Sequence, residues 1–177
     1  MKNKLQLVLL FLITFSLGSC VTFKKSKSKG ALSYYESFFI NDSTTQFHIK
    51  PIEIKEQEET ILVDFTFRKS ANIGSDVTMN FSVLSKKNIP LQKQIQLLAN
   101  DSAFQIQNLK LLYKEKKKNQ YHYRYNSTIA FENFIYLFKN PNWKMELDKI
   151  LFAPTKKSEK KLNRINNDLI EFQLEMQ

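Results

Sequence analysis

The chain has 177 residues, a formal net charge of +10 and 42% hydrophobic residues, which is enough length and apolar content for one domain with its own core. Its single cysteine, Cys20, excludes an intrachain disulfide, so packing alone must hold the fold. With three glycines in all, it carries neither a glycine-rich phosphate loop nor a G-x-S-x-G nucleophile elbow, which removes the commonest nucleotide-binding and hydrolase motifs.

The first element in chain order is a targeting segment. Lys2 and Lys4 form a positive n-region, and Leu5 to Leu17 is an apolar run broken only by Gln6, Thr14 and Ser16. Such a run is too short to cross a bilayer comfortably and fits the h-region of a secretory signal. It ends in Leu17, Gly18, Ser19 and Cys20, which resembles the lipobox of bacterial lipoprotein precursors. The resemblance implies that residues 1–19 are a signal peptide, removed when Cys20 is acylated and becomes the mature N-terminus. Two or three acyl chains anchor stably where one is marginal, because each buried methylene contributes about 0.8 kcal/mol. Val21 follows the cysteine in place of the aspartate that retains such proteins at the inner membrane, so the resemblance favours the outer membrane.

Residues 20–30 then comprise the acylated cysteine and a basic tether. Lys24, Lys25, Lys27 and Lys29 stand among small polar residues with no apolar period, a composition that suits either a solvated spacer or contact with an anionic membrane surface. Loss of Lys2 and Lys4 lowers the charge by two and leaves the mature chain basic. In a cytoplasmic protein that balance would suggest nucleic acid. In the envelope it points instead to lipid phosphates, lipopolysaccharide, teichoic acids or acidic glycans.

Residues 31–177 read as a single β-rich domain. Ile61, Val63, Phe65 and Phe67 alternate with polar neighbours, as do Val77, Met79, Phe81 and Val83, and the Asn72, Gly74, Ser75 turn chemistry between them predicts an antiparallel hairpin. Further strands are expected at 34–40, 46–54, 94–98, 104–113 and 121–129, with Pro51 marking an edge strand or bulge in the second of these. Phe131, Phe134, Ile135 and Phe138 have helical spacing, and Asn140 and Pro141 should end that helix. Trp143, Met145 and Leu147, then Ile150 and Phe152, predict a strand pair across Asp148 and Lys149. After Pro154, with Thr155 or Ser158 as N-cap, the residues Leu162, Ile165, Leu169, Phe172 and Met176 predict an amphipathic helix that docks on the sheet. The pattern specifies a mainly β fold, an antiparallel β-sandwich with a short inserted helix and a C-terminal helix. The alternative is an up-and-down barrel similar in outline to lipocalins, which would enclose a ligand.

Chemistry-bearing residues are sparse. His48 and His122 lie far apart in sequence, both on strand faces opposite the apolar one, and neither has metal-ligand spacing. Glu53, Glu56, Glu58 and Glu59 cluster in a polar stretch between strands, as solvated carboxylates do, so no catalytic residue, metal site or cofactor is expected. Two features suit binding. Lys114, Lys116, Lys117 and Lys118 occupy a loop between strands, and Tyr121, Tyr123 and Tyr125 share one face of the next strand, as either an exposed ladder or the rim of the core. Lys156, Lys157, Lys160 and Lys161 crowd a helix start, where cations oppose the macrodipole. The expected function is a non-enzymatic, lipid-anchored envelope protein that binds another envelope protein as an accessory or assembly factor. The alternative is a lipoprotein that holds a lipid, glycan or other anionic envelope ligand.

Overall fold

The computed structural model describes residues 34–69, 76–89 and 94–175. The signal segment, Cys20, the tether, Gly74 with most of the predicted turn around it, and Met176 lie outside them, and so does the side chain of Phe172. Ten strands run β1 Tyr35–Asn41, β2 Thr44–Glu56, β3 Glu59–Lys69, β4 Val77–Ser85, β5 Ile95–Ala99, β6 Ser102–Gln105, β7 Gln107–Lys117, β8 Gln120–Ile129, β9 Lys144–Leu147 and β10 Ile150–Pro154. Helix α1, Phe131–Lys139, separates β8 from β9, and helix α2, Lys156–Ile165, follows β10 and continues as a π-helix over Asn166–Glu175.

The fold is mainly β, and every strand pair is antiparallel. Strand order is β6-β5-β9-β10-β2-β3-β4-β8-β7, with β1 pairing on β2. The layers expected of a sandwich are two arms of one curled sheet. They meet where Ala153 and Pro154 of β10 pair with Lys55 and Ile54 of β2. The two end strands of this order, β6 and β7, are joined through the single residue Ile106, whose N–H donates to Ile95 O at 3.2 Å. The one strand expected over 104–113 is therefore two, because the chain bends at Ile106 to pass from one arm to the other, as strands do at the corners of packed sheets.

Alternation decides which face is inside. Phe65 and Phe67 of β3, Met79, Phe81 and Val83 of β4, and Tyr123 and Tyr125 of β8 all point inward and are buried. Helix α1 fills the curl: Phe134 lies 4.9 Å from Phe67, Phe138 lies 5.5 Å from Phe65, and on the other arm Tyr136 lies 5.5 Å from Phe104. Each fully buried aromatic contributes roughly 1.5–3 kcal/mol relative to exposure, so α1 is a principal source of cohesion between the arms.

The local signals explain the element boundaries. Asn140 ends α1, its N–H reaching Leu137 O and Tyr136 O while its side-chain amide donates to Tyr136 O at 2.8 Å. Leu147 pairs with Ile150, leaving Asp148 and Lys149 at φ 50° and 66° as a two-residue turn of the I′ kind that matches strand twist. Pro51 produces a bulge, since the β2–β3 register shifts between Ile49 and Ile52. Thr155 is the N-cap of α2, accepting from the Ser158 N–H at 3.3 Å.

Candidate functional site

The β7–β8 hairpin carries the lysines singled out in the sequence. Lys117 pairs with Gln120, so Lys118 and Asn119 form the tip, and Lys118 adopts φ 57°. Lys114, Lys116, Lys117 and Lys118 are all exposed. Register places Lys114 opposite Tyr123 and Lys116 opposite Tyr121, and the two ammonium groups stand 5.4 Å and 5.3 Å over those rings. Such cation–π contacts contribute about 0.5–1 kcal/mol each at an exposed site.

The tyrosines divide. Tyr125 is buried and stacks on Phe81 at 4.9 Å. Tyr123 is also buried, with its hydroxyl donating to Asn88 Oδ1 at 2.8 Å and accepting from Ile89 N at 3.0 Å. Only Tyr121, half-buried, stands at the boundary with solvent, so the stripe is the rim of the core and no exposed ladder forms.

Ser85 pairs with Tyr121 and Glu56 with Glu59, so the β2–β3 turn and the end of β4 share this end of the sheet with the lysine hairpin. Together with the β9–β10 turn they line an open groove of about 540 Å³. Its charges are balanced rather than one-signed: Glu56, Glu58 and Glu59 face Lys86, Lys87 and Lys149, and Lys86 pairs with Glu58 at 3.1 Å.

The outward face of the sheet holds a polar network that no sequence motif marks. Asp64, only 3% exposed, accepts from Arg124 Nη2 at 2.6 Å and from Asn80 Nδ2 at 3.2 Å. Arg124 also donates to Ser82 Oγ at 3.0 Å, and Asn126 donates to Asn80 Oδ1 at 2.9 Å. His48 bonds Thr66 at 3.0 Å, while His122 stands 3.8 Å from Glu115. The two histidines lie on β2 and β8, with β3 and β4 between them. At the usual interstrand spacing that separation is roughly 14 Å, too far to share a metal ion. Among the described residues no cluster of three or more His, Cys, Asp or Glu side chains is placed to hold one.

Strand β1 is a different kind of surface. Among the described residues it pairs with β2 alone, and it exposes Phe38, Phe39 and Ile40, with Phe39 83% accessible. Three consecutive apolar side chains on a strand with no second strand neighbour among the described residues form a template for a further strand. The sequence marks this strand by β-propensity, but its edge position depends on pairing, which local pattern does not encode. Comparison of the chain with protein-family models, curated proteins and solved structures finds no match.

Proposed function

We propose that the chain is a membrane-anchored envelope lipoprotein, held through acyl chains on Cys20 with the outer membrane favoured, whose domain binds another envelope protein as a non-catalytic accessory or assembly factor. The observation that carries this reading is the exposed β1 edge with Phe38, Phe39 and Ile40. An extended segment of the partner adds to β1, its backbone supplying the hydrogen bonds and its apolar side chains covering the two phenylalanines. The filled curl supports a partner on the outside: Trp143, Phe65, Phe134 and Phe138 occupy the interior where a lipocalin-like barrel would hold a ligand.

The test is crosslinking of the tagged protein in its native envelope. One protein partner should be recovered in near-stoichiometric amount, and Phe38→Ser with Phe39→Ser should reduce its recovery at least tenfold without lowering the melting temperature. Cys20→Ala should release the chain from the membrane. Recovery of glycan or lipid in place of protein, lost on replacing Lys114, Lys116 and Lys117, would instead establish the anionic-ligand reading.

A further inference from the structure

Helix α2 has two faces of opposite character. Ser158, Leu162 and Ile165 are buried against the domain, while Lys156, Lys157, Lys160 and Arg164 are exposed, with Glu159 the one acidic residue among them. Among the described residues Lys156, Lys157 and Lys160 have no carboxylate partner, although Lys50, Lys55 and Lys86 each have one. These lysines also stand in the first turns of the helix, where the macrodipole disfavours cations. Folding is not served by that placement.

The same face receives the N-terminal end of the domain. Tyr34, the first described residue, accepts from Arg164 Nη1 at 2.7 Å through its hydroxyl, and the guanidinium lies 5.6 Å over its ring. Its carbonyl accepts from Lys50 N at 2.9 Å. Lys161 then ties the helix to β2, donating to Lys50 O at 2.9 Å and Pro51 O at 2.8 Å. Tyr34, four residues after the end of the tether sequence, is therefore fixed against the basic helix. From Cys20 to Tyr34 the chain reaches at most about 50 Å when fully extended, and its own lysines at 24, 25, 27 and 29 carry the same sign.

We propose that the exposed face of α2, formed by Lys156, Lys157, Lys160 and Arg164, lies against the anionic lipid headgroups of the membrane that holds the anchor and so orients the domain. This inference rests on the anchored reading for its geometry, while the affinity of the face for anionic lipid stands without it. Held this way the domain has one side committed to the membrane. The lysine hairpin is the natural control, since it carries as many exposed cations but is not joined to the tether.

The experiment uses the full chain on two kinds of vesicle, neutral phosphatidylcholine and the same lipid with a third of phosphatidylglycerol. Lysine acylation by a soluble reagent is then read residue by residue by mass spectrometry. Lys156, Lys157 and Lys160 should become protected on the anionic vesicles alone, with Lys114, Lys116 and Lys117 labelled equally on both. The triple variant Lys156→Glu, Lys157→Glu, Lys160→Glu should lose salt-sensitive association by about 100-fold or more, given the attraction of each lysine near an anionic surface. It should also unfold at a higher temperature, because glutamates suit the helix start, so lost binding cannot be mistaken for lost structure. Flotation with neutral vesicles in 1 M salt reads the anchor separately. If the chain floats there but α2 labels equally on both vesicles, the anchor stands and the orientation proposal falls. If it fails to float, the anchored reading falls, and protection of α2 on anionic vesicles at low salt still supports the face, while its absence overturns it.

Discussion

Asp64 is a carboxylate with 3% exposure on the side of the sheet away from the core, and Arg124 Nη2 at 2.6 Å compensates its charge. Removing one partner of such a pair leaves an uncompensated charge, so Arg124→Ala should cost about 3 kcal/mol in urea unfolding, with a large part recovered when Asp64→Ala is added. The pair was not legible in the sequence. Its members are 60 residues apart and meet only because Asp64 pairs with Asn80 on β4, whose next-but-one neighbour Ser82 pairs with Arg124. A smaller effect attaches to Lys149, which adopts φ 66° in the β9–β10 turn. A side chain is disfavoured in that left-handed region, and Lys149→Gly should stabilise the fold by about 0.5–1 kcal/mol, read as a rise in the denaturation midpoint with unchanged slope. Here the sequence was informative, because the alternation on either side of Asp148 and Lys149 leaves two residues for the turn.

At the scale of elements, the contact of α2 with β2 explains how a proline is accommodated within a long strand. Pro51 disrupts the ladder, and Lys161 supplies a donor to the carbonyls of Lys50 and Pro51. Burial, reinforced by the charges of Lys50 and Lys157, lowers Lys161 to about 8 from its ordinary 10.5. Between these values the unfolded chain binds more protons than the native one. The contribution of this group to stability therefore rises with pH across that window, and its penalty is fully in force below it. Relative to Lys161→Met, the native protein should gain stability between pH 8 and pH 10, measured by urea unfolding at each pH. The bulge and the N-cap at Thr155 were each one of two readings that residue type left open, an edge strand and Ser158 being the others, and the structure selects between them. The π-helical turn after Ile165 was not readable, because a heptad reading places Leu169 on the buried face but leaves Ile170 beside it. Both are buried, in a segment whose i→i+5 turns depart from the heptad spacing.

At the scale of the whole molecule, the β3–β4 hairpin and the β9–β10 pair followed from periodicity, while the order in which strands assemble did not. Period-2 alternation says which face is buried and is silent on which strand lies next to which. The consequence is greatest for β10, which inserts beside β2 from the far end of the chain, and for α1, which fills the space between the arms. A chain stopped at Asp148 would lack β10, α2 and the bridge between the arms. It should show no cooperative unfolding transition and should bind a hydrophobic dye in water.

That late junction also sets a timetable. Synthesis delivers β1 to β4 first, with their aromatic inner face uncovered and the Ile54–Lys55 stretch of β2 awaiting Ala153 and Pro154. Pairings of such long sequence separation are reached slowly, because the intervening loop must close before any contact rewards it. The two arms therefore cannot be joined until almost the last residues are made. A sheet whose seam is made by its last strand is completed all at once, so a chain cut short anywhere before Ala153 leaves the two arms without the hydrogen bonds that join them.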